Sequence, residues 1–213
     1  MQIGPYQIQS ELGRGGMGVV YLASSPELGQ VALKVLLSEA TPASHKRLQR
    51  EAAALAQLEH PGIVKLHDFG EHQGRAYLTL AFVPGESLEA RLLSSGALPI
   101  WEAVELARDV AEALHFAHQR GLLHRDVKPA NVLLDRVSGR PVLTDFGLVK
   151  DLEASVSRTR LTADGRFLGT PGFWAPEQAR GKLDALGPWT DVYGLGATLY
   201  TCLVGVPRSR VRP

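Results

Sequence analysis

The chain has 213 residues, of which 45% are hydrophobic and 21% charged, and 23 basic against 22 acidic residues leave a formal net charge of +1. This balance argues against a nucleic-acid partner or a membrane surface, since both select a basic excess. The single cysteine, Cys202, excludes a disulfide framework and suits a reducing compartment, so we expect a cytoplasmic protein. No membrane segment is expected, because the N-terminus lacks a signal-peptide pattern and the longest apolar run, residues 192–206, is shorter than the about 18 residues of a spanning helix.

The first part of the chain predicts mainly strands. Runs rich in β-branched and aromatic residues predict strands at 6–12, 19–22, 31–37, 64–69 and 76–83. Between about Ala43 and Glu59 the apolar residues follow a helical period instead, and this predicted helix ends at His60 and Pro61. We therefore expect a β-rich region with one helix over residues 1–83.

After Pro84 the pattern becomes mainly helical, and a helix is predicted from about Pro99 to Gln119. The stripe of this helix that is predicted to be buried contains Val104, Ala107, Ala111, Leu114 and Ala117. Short apolar runs at 132–134 and 142–143 predict a small hairpin, and a last, apolar helix is predicted from about Asp191 to Val204. A strand-rich part followed by a helix-rich part indicates an α+β fold.

The segment 13–18 reads G-R-G-G-M-G. Taken alone, it is either a flexible turn or a dinucleotide fingerprint, and the fingerprint requires a helix directly after the glycines. The run from Val19 to Leu22 predicts a strand at that place, which excludes the dinucleotide interpretation. A glycine-rich hairpin can instead place its backbone N–H groups over the phosphates of a nucleotide, because no Cβ blocks the approach.

Lys34 lies in a predicted strand whose alternation places it on one face with Ala32 and Leu36. A solvated surface lysine is the alternative for this residue on its own. In the helix that follows, Glu51 shares a face with three leucines at three- and four-residue steps, so its carboxylate needs a partner. We predict that Lys34 is this partner and that the lysine, once held, can grip phosphate oxygens.

Residues 124–131 read H-R-D-V-K-P-A-N and lie between a buried helix and a short strand, where a rigid scaffold can present a loop. Asp126 is placed to accept the proton of an incoming hydroxyl, Lys128 can steady a transferring phosphoryl group, and Asn131 can offer an oxygen to a metal ion. Asp145 follows at the end of the next strand, in D-F-G. An ordinary Asx turn is the alternative there, but the spacing favours a second oxygen ligand for Mg²⁺.

These segments, with V-A-L-K at 31–34 and A-P-E at 175–177, resemble in their order the signature of protein kinases. The strings G-R-G-G-M-G-V-V-Y and A-P-E-Q-A resemble the bacterial eukaryotic-type (Hanks-type) serine/threonine kinases in particular. The resemblance spans Tyr6 to about Val204. It implies a bilobal protein-kinase-like fold, with a β-rich N-lobe over 1–83 and a helical C-lobe over 84–213.

The resemblance further implies protein substrates, ATP as co-substrate, and Mg²⁺ (or Mn²⁺) as the metal, with Asn131 and Asp145 as its ligands. Lys34, paired with Glu51, would hold the α- and β-phosphates, Asp126 would orient and deprotonate the substrate hydroxyl, and Thr170 would bond Asp126 and Lys128. Residues implied to contact the nucleotide are Leu12, Gly13, Gly15, Gly18, Val20, Ala32, Lys34, Leu80, Ala81, Val83 and Leu133.

By the same resemblance, residues 145–177 form an activation segment, and Arg125 receives a phosphate carried by that segment. Candidate phosphorylation sites are Ser155, Ser157, Thr159 and Thr162. His124 and Phe146 resemble members of a stack of side chains that Asp191 anchors in active kinases. For His115 and His118, a core or capping role is favoured over a metal site, because no further ligand stands at metal spacing.

Relatives in this family continue through several more helices, so the resemblance implies a C-lobe that is incomplete after about residue 204. The apolar helix at 191–204 is then expected to lose part of its cover, and its exposed face predicts association with a partner or aggregation. Two functions follow from the sequence. The first is an ATP-dependent serine/threonine protein kinase with autophosphorylation of its activation segment, and the alternative is a catalytically weak ATP-binding or interaction module.

Overall fold

The computed structural model describes residues 1–16, 18–37, 42–146 and 171–205. Within these residues the chain forms two compact units, one made of 1–59 and 64–83 and the other of 60–63, 84–146 and 171–205. None of the helices in the described part is long and apolar enough to cross a bilayer.

The first unit is built on a six-stranded sheet with the strand order β1-β2-β3-β4-β6-β5. The pairs between neighbouring strands are all antiparallel. The strands are β1 (Gln2–Ile3), β2 (Tyr6–Gly15), β3 (Gly18–Ser25), β4 (Gly29–Leu36), β5 (Leu66–His72) and β6 (Arg75–Ala81). The sequence predicted five of these strands and missed the two-residue β1, which is too short to carry a periodic pattern.

The two faces of this sheet carry different side chains. One face holds a hydrophobic cluster formed by Ile3, Tyr6, Ala23, Val31, Leu33 and Tyr77. The opposite face holds Ala32 and Lys34, because side chains alternate along β4. The residues directly opposite them across the antiparallel ladders, Val20 for Lys34 and Leu80 for Ala32, share that second face.

Helix α1 (Pro42–Ala56) packs against β5. Leu48 and Leu55 are at most 5% exposed, as the predicted apolar face of this helix requires, and Leu58, two residues beyond the end of α1, is buried as well. Glu51 projects from the same region of α1 and is half-buried. Burial of the leucines stabilises the helix on the sheet, at roughly 1.5–3 kcal/mol for each fully buried side chain.

The second unit is mainly helical. Its helices are α2 (Leu88–Ser95), α3 (Ile100–His118), α4 (Pro176–Ala179) and α5 (Pro188–Val204). A three-stranded antiparallel sheet in the order β7-β8-β9 completes it, formed by β7 (Gly85–Ser87), β8 (Val132–Asp135) and β9 (Pro141–Leu143). The predicted β8–β9 hairpin is present, and the sequence missed β7, since its three residues pair only through the distant β8.

The buried stripe of α3 differs from the predicted one. Leu114 and Ala117 are buried as predicted, but Val104 is 45% exposed and Ala111 is also exposed. The residues that are buried are Ala103, Leu106, Val110, Ala113, Leu114 and Ala117. The sequence carries two apolar stripes about one residue apart, and the larger Leu106 and Val110 decide which one faces the interior because they bury more apolar area.

Helix α5 packs against α3 through a stripe of small and polar residues. Its buried members Thr190, Gly194, Thr198 and Cys202 recur at four-residue steps, and Asp191 is buried beside the first of them. Large apolar residues face the other way, among them Val192 at 61% and Tyr200 at 69% exposure. The helix therefore approaches its neighbours closely through small side chains.

Candidate active site

The glycine segment forms a tight hairpin between β2 and β3. Gly15 pairs with Gly18 at the closed end of the hairpin. A Cβ at Gly18 would lie 2.5 Å from the carbonyl oxygen of Val35, so only glycine fits at this position of β3 beside β4. The hairpin geometry agrees with a strand after the glycines.

The described residues give no comparable steric reason for glycine at positions 13 and 15. Within the described part of the chain, a Cβ at either position would meet no other atom within 4 Å, and neither residue has a positive φ. Neither packing nor backbone conformation therefore requires glycine at these two places. Close approach of a ligand to the backbone is one physical reason for glycine here, and it is the reason that the sequence predicts.

Lys34 is only 6% exposed on β4. It shares its sheet face with Val20, Ala32 and Leu80, all of which the sequence assigns to nucleotide binding. An ammonium group at such a position needs compensating negative charge. The face therefore combines apolar side chains that suit a flat base with a lysine that suits phosphate.

The end of β6 carries the residues predicted to bond the edge of the base. Leu80 is buried, and Ala81 and Val83 are half-buried. The N–H of Ala81 donates to the carbonyl of Lys65 over 2.9 Å. Any hydrogen bond from Ala81 to a base would therefore use its carbonyl. Leu12 is 47% exposed on β2, and Leu133 is half-buried on β8 of the second unit.

In the second unit, the loop between α3 and β8 gathers three of the predicted catalytic and metal residues. Nζ of Lys128 lies 3.0 Å from Oδ2 of Asp126. Nδ2 of Asn131 donates to the same Oδ2 over 2.9 Å and to the Asp126 carbonyl over 2.8 Å. A cation and an amide donor thus hold the Asp126 carboxylate in one orientation.

The same bonds decide which atom Asn131 can offer to a metal ion. Its Nδ2 faces two oxygens of Asp126, so its Oδ1 is the atom left for a cation. The N–H of Thr144 donates to the Asn131 carbonyl over 3.0 Å, at the end of the β8–β9 hairpin, and this brings Asn131 beside the residue that precedes Asp145. Amide and carboxylate oxygens suit Mg²⁺.

No group of three or more His, Cys, Asp or Glu side chains suited to a metal ion occurs in the described ranges. Mg²⁺ is commonly bound by one or two protein oxygens, while substrate phosphates and water complete its shell. Asn131 and Asp145 therefore fit as the protein's share of such a site.

Two residues of the site have an unusual backbone conformation. Arg125 has a φ of 61° and Asp145 a φ of 60°, in the left-handed region that non-glycine residues rarely occupy. Such a conformation costs about 1–3 kcal/mol and persists only where the surroundings impose it. Arg125 adjoins the predicted base Asp126, and Asp145 is a predicted metal ligand; no local sequence pattern indicated this strain.

Asp191 on α5 imposes part of that conformation. Its two carboxylate oxygens accept the N–H groups of His124 (2.8 Å) and Arg125 (2.6 Å). The ring of His118 on α3 contacts it over 2.7 Å. Gly194 permits this approach, because a Cβ there would lie 2.9 Å from the carbonyl oxygen of Val127 in the same loop.

His124 connects the loop to the strand that precedes Asp145. Its Nε2 lies 2.9 Å from the Thr144 carbonyl and must donate, so its Nδ1 accepts the N–H of Asp126 over 3.2 Å. This is the neutral imidazole, and burial lowers the pKa of His124 below its ordinary 6.5. Its ring packs on Phe146, with the centroids 4.6 Å apart.

Sequence reasoning missed two residues of this network. It gave His118 a core or capping role, and it gave Gln178 no role. Nε2 of Gln178 donates to the Arg125 carbonyl over 2.8 Å, and its side chain is buried. A polar residue directly after A-P-E, inside a short helix, was the one local signal for Gln178.

The sequence-predicted residues divide between the two units. Gly13, Gly15, Lys34 and Glu51 belong to the first unit, whereas Asp126 and the residues that contact it belong to the second. Thr170 and the candidate phosphorylation sites Ser155, Ser157, Thr159 and Thr162 lie outside the described residues.

The chain is similar to known proteins over nearly its whole length. A family model described as protein kinase domain matches residues 6–211. The chain is 41% identical over 210 residues to the serine/threonine-protein kinase PknA of Mycobacterium tuberculosis, and 38% identical over 209 residues to the serine/threonine-protein kinase PknB of Mycobacterium leprae. Each alignment covers 95% of this chain but only 47% and 33% of those proteins, so the chain spans less than half the length of either.

A solved structure has the same fold. The crystal structure of a mutant of the Mycobacterium tuberculosis PknI kinase domain matches with a TM-score of 0.76 at 34% identity, over 100% of this chain and 80% of that one. The predicted α+β, protein-kinase-like fold is thereby confirmed.

Proposed function

The chain belongs to the protein kinase domain family, and on that premise we propose that it transfers the γ-phosphate of ATP to serine or threonine hydroxyls of proteins. The observation that carries the proposal is the arrangement around Asp126, whose Oδ2 lies 3.0 Å from Lys128 and accepts a hydrogen bond from Asn131. A carboxylate held in this way can receive a proton in a defined direction.

In the reaction, Asp126 orients the substrate hydroxyl and accepts its proton. The hydroxyl oxygen forms a bond to the γ-phosphorus while the bond from that phosphorus to the β–γ bridging oxygen breaks, and ADP leaves. Lys128 offsets negative charge on the transferring phosphoryl group. A magnesium ion, when bound by Asn131 and Asp145, supplies charge stabilisation at the phosphates. Such positioning supports turnover of roughly 1–100 per second.

The first unit supplies the residues for nucleotide binding. Lys34 holds the α- and β-phosphates and pairs with Glu51, and the backbone of the glycine hairpin at 13–18 covers the phosphates. The apolar side chains on the Lys34 face of the sheet contact the adenine ring. Mg²⁺ is the proposed metal, Mn²⁺ can replace it, and Thr170 assists Asp126.

The test is transfer of labelled phosphate from Mg-ATP to the full chain itself and to a generic basic protein. Asp126→Asn removes the base, and we expect transfer to fall about 10²–10⁴-fold. Asp184→Asn, at an exposed position of the same unit, is the matched control and should transfer like the wild type.

A wild-type chain that binds ATP but transfers no phosphate would contradict the proposal. The catalytically weak ATP-binding module would then be the function that remains. Equal transfer by wild type and Asp126→Asn would show that the activity comes from elsewhere.

A further inference from the structure

The peptide group between Arg125 and Asp126 is held by side chains at both of its polar atoms. Nε2 of Gln178 donates to the Arg125 carbonyl over 2.8 Å, and Nδ1 of His124 accepts the Asp126 N–H over 3.2 Å. A peptide group is planar, so holding its C=O and its N–H holds the whole plane. The Cα of Asp126 lies in that plane, and the direction of its carboxylate depends on it.

Gln178 is bound at both ends of its carboxamide. Its Oε1 accepts the N–H of Ala175 over 3.1 Å, while its Nε2 faces the Arg125 carbonyl. The side chain is 5% exposed, and Ala175 is fully buried. Since one end must accept and the other must donate, the amide has one orientation that satisfies both partners.

Gln178 supports a backbone conformation of Arg125 that is energetically unfavourable. Arg125 has a left-handed backbone, with a φ of 61°. Its N–H is held by Asp191 of α5 and its C=O by Gln178 of α4, so both sides of the strained residue are fixed from outside the loop. Loss of either bond lets the backbone relax towards an ordinary conformation.

We propose that Gln178 is a positioning residue for phosphate transfer: it fixes the Arg125–Asp126 peptide and thereby the direction of the Asp126 carboxylate. Through its bond to Ala175, it also couples the A-P-E segment to the catalytic loop. A displacement of Ala175 moves its N–H away from Oε1 of Gln178, and the carboxamide is then free to rotate. The activity part of this inference rests on the proposed function.

Two substitutions of Gln178 test its hydrogen bonds to Ala175 and Arg125. Gln178→Glu keeps an oxygen for the Ala175 N–H but places a carboxylate against the Arg125 carbonyl, and Gln178→Met removes both bonds at similar size. Because a misplacement of about 1 Å can cost about a hundredfold in rate, we expect kcat to fall about tenfold or more in both variants. The KM for ATP should stay within about twofold, since the nucleotide contacts are unchanged.

The pH profile distinguishes positioning from a general loss of packing. A protonated glutamate carries an O–H donor that can replace the missing N–H. The kcat of Gln178→Glu relative to wild type should therefore rise as the pH falls from about 8 to about 6, whereas that of Gln178→Met should not. Gln7→Glu, an exposed glutamine-to-glutamate change on β2, should match the wild type throughout.

Wild-type kcat in both Gln178 variants, or a loss in both without the pH-dependent recovery of the glutamate variant, would overturn the proposal. Amide hydrogen exchange provides a second test of the Gln178 contacts, and this test does not depend on enzyme activity. The Asp126 and Ala175 amides of Gln178→Met should exchange about tenfold faster or more, relative to amides in the middle of α3. If the wild type transfers no phosphate, the proposed function fails. The positioning role of Gln178 is tested separately: an unchanged exchange rate of the Asp126 amide in Gln178→Met would refute it.

Discussion

The backbone N–H of Arg125 donates to Oδ1 of Asp191 over 2.6 Å, and this bond joins residues 66 positions apart. The other oxygen, Oδ2, accepts the N–H of His124 and contacts the ring of His118. With a residue exposure of 1%, Asp191 is a buried charge whose oxygens are both engaged by the catalytic loop. The strained conformation of that loop depends on a carboxylate carried by a different element.

Replacing Asp191 by asparagine should therefore destabilise the protein and reduce transfer. Asparagine keeps one acceptor oxygen but turns an amide towards a backbone N–H, which leaves a buried donor without a partner. We expect a loss of about 1–3 kcal/mol in the free energy of unfolding, measured with urea, and a lower kcat. Asp184→Asn, at an exposed position, should change neither quantity. Wild-type stability in Asp191→Asn would contradict the role given to this carboxylate.

Stability should fall as the pH is lowered through the ordinary pKa of histidine. Burial lowers the pKa of His124 below 6.5, so the unfolded chain takes up a proton before the folded chain does. His124 therefore contributes stability that is fully present above about pH 6.5 and is lost as the pH falls towards its folded pKa. One such group changes the free energy of unfolding by at most about 1.4 kcal/mol per pH unit.

Urea unfolding between about pH 7.5 and pH 5.5 measures this slope. His60 and His67 add to it, because burial lowers the pKa of each as well. His124→Phe removes one titrating group and should unfold with a shallower pH dependence at lower overall stability. An unchanged slope in that variant would show that His124 does not titrate differently in the two states.

The thiol of Cys202 should be unreactive in the native protein. The residue is fully buried on α5, and burial raises the pKa of its thiol to about 11. Because the thiolate is the reactive form, labelling with a disulfide reagent at about pH 8 should be about a hundredfold slower than in the unfolded chain. The same reagent in concentrated guanidinium chloride provides the reference rate. Rapid labelling of the native chain would show that α5 opens locally.

The glycines of the hairpin should separate into a structural and a ligand-related class. Gly18→Ala places a methyl group 2.5 Å from the Val35 carbonyl oxygen and should cost about 1–3 kcal/mol of stability. The added methyl group of Gly15→Ala meets no atom of the described residues within 4 Å, so the stability of this variant should stay within about 0.5 kcal/mol of wild type. Its KM for ATP should nonetheless rise several-fold. Thermal unfolding and steady-state kinetics measure the two effects, and an unchanged KM in Gly15→Ala would remove the phosphate role.

Thr79→Val should stabilise the first unit. The Thr79 side chain is fully buried on β6, and its hydroxyl finds no hydrogen-bond partner within the part of the chain that the structure describes. Exchanging that hydroxyl for a methyl group of similar shape should add about 1 kcal/mol to the free energy of unfolding. Thr198→Val is the matched control, since the buried Thr198 hydroxyl donates to the Gly194 carbonyl over 2.8 Å. If Thr198→Val stabilised the protein and Thr79→Val did not, the view that the buried Thr79 hydroxyl costs stability would be contradicted.

Much of the fold followed from local sequence patterns. Alternation along β4 predicted that Lys34 lies on a face with Ala32, and Lys34 is indeed buried there. The apolar period of α1 predicted the burial of Leu48 and Leu55. The phase of α3 was wrong by about one residue, because two apolar stripes compete in its sequence and only the packing of Leu106 and Val110 decides between them.

The identity of the chemical groups can be read from local sequence: the glycine hairpin, the lysine of β4, and the acidic and amide side chains around Asp126 and Asp145. Each of these is encoded within a few neighbouring residues. The orientation of Asp126, in contrast, depends on contacts between residues that are far apart in the chain. Asp191 and Gln178, 66 and 53 positions from Arg125, form hydrogen bonds to its N–H and its C=O. These bonds support the left-handed backbone of Arg125. Hydrophobic periodicity specifies which face of an element is buried, but it carries no information about which distant polar group a buried peptide will meet.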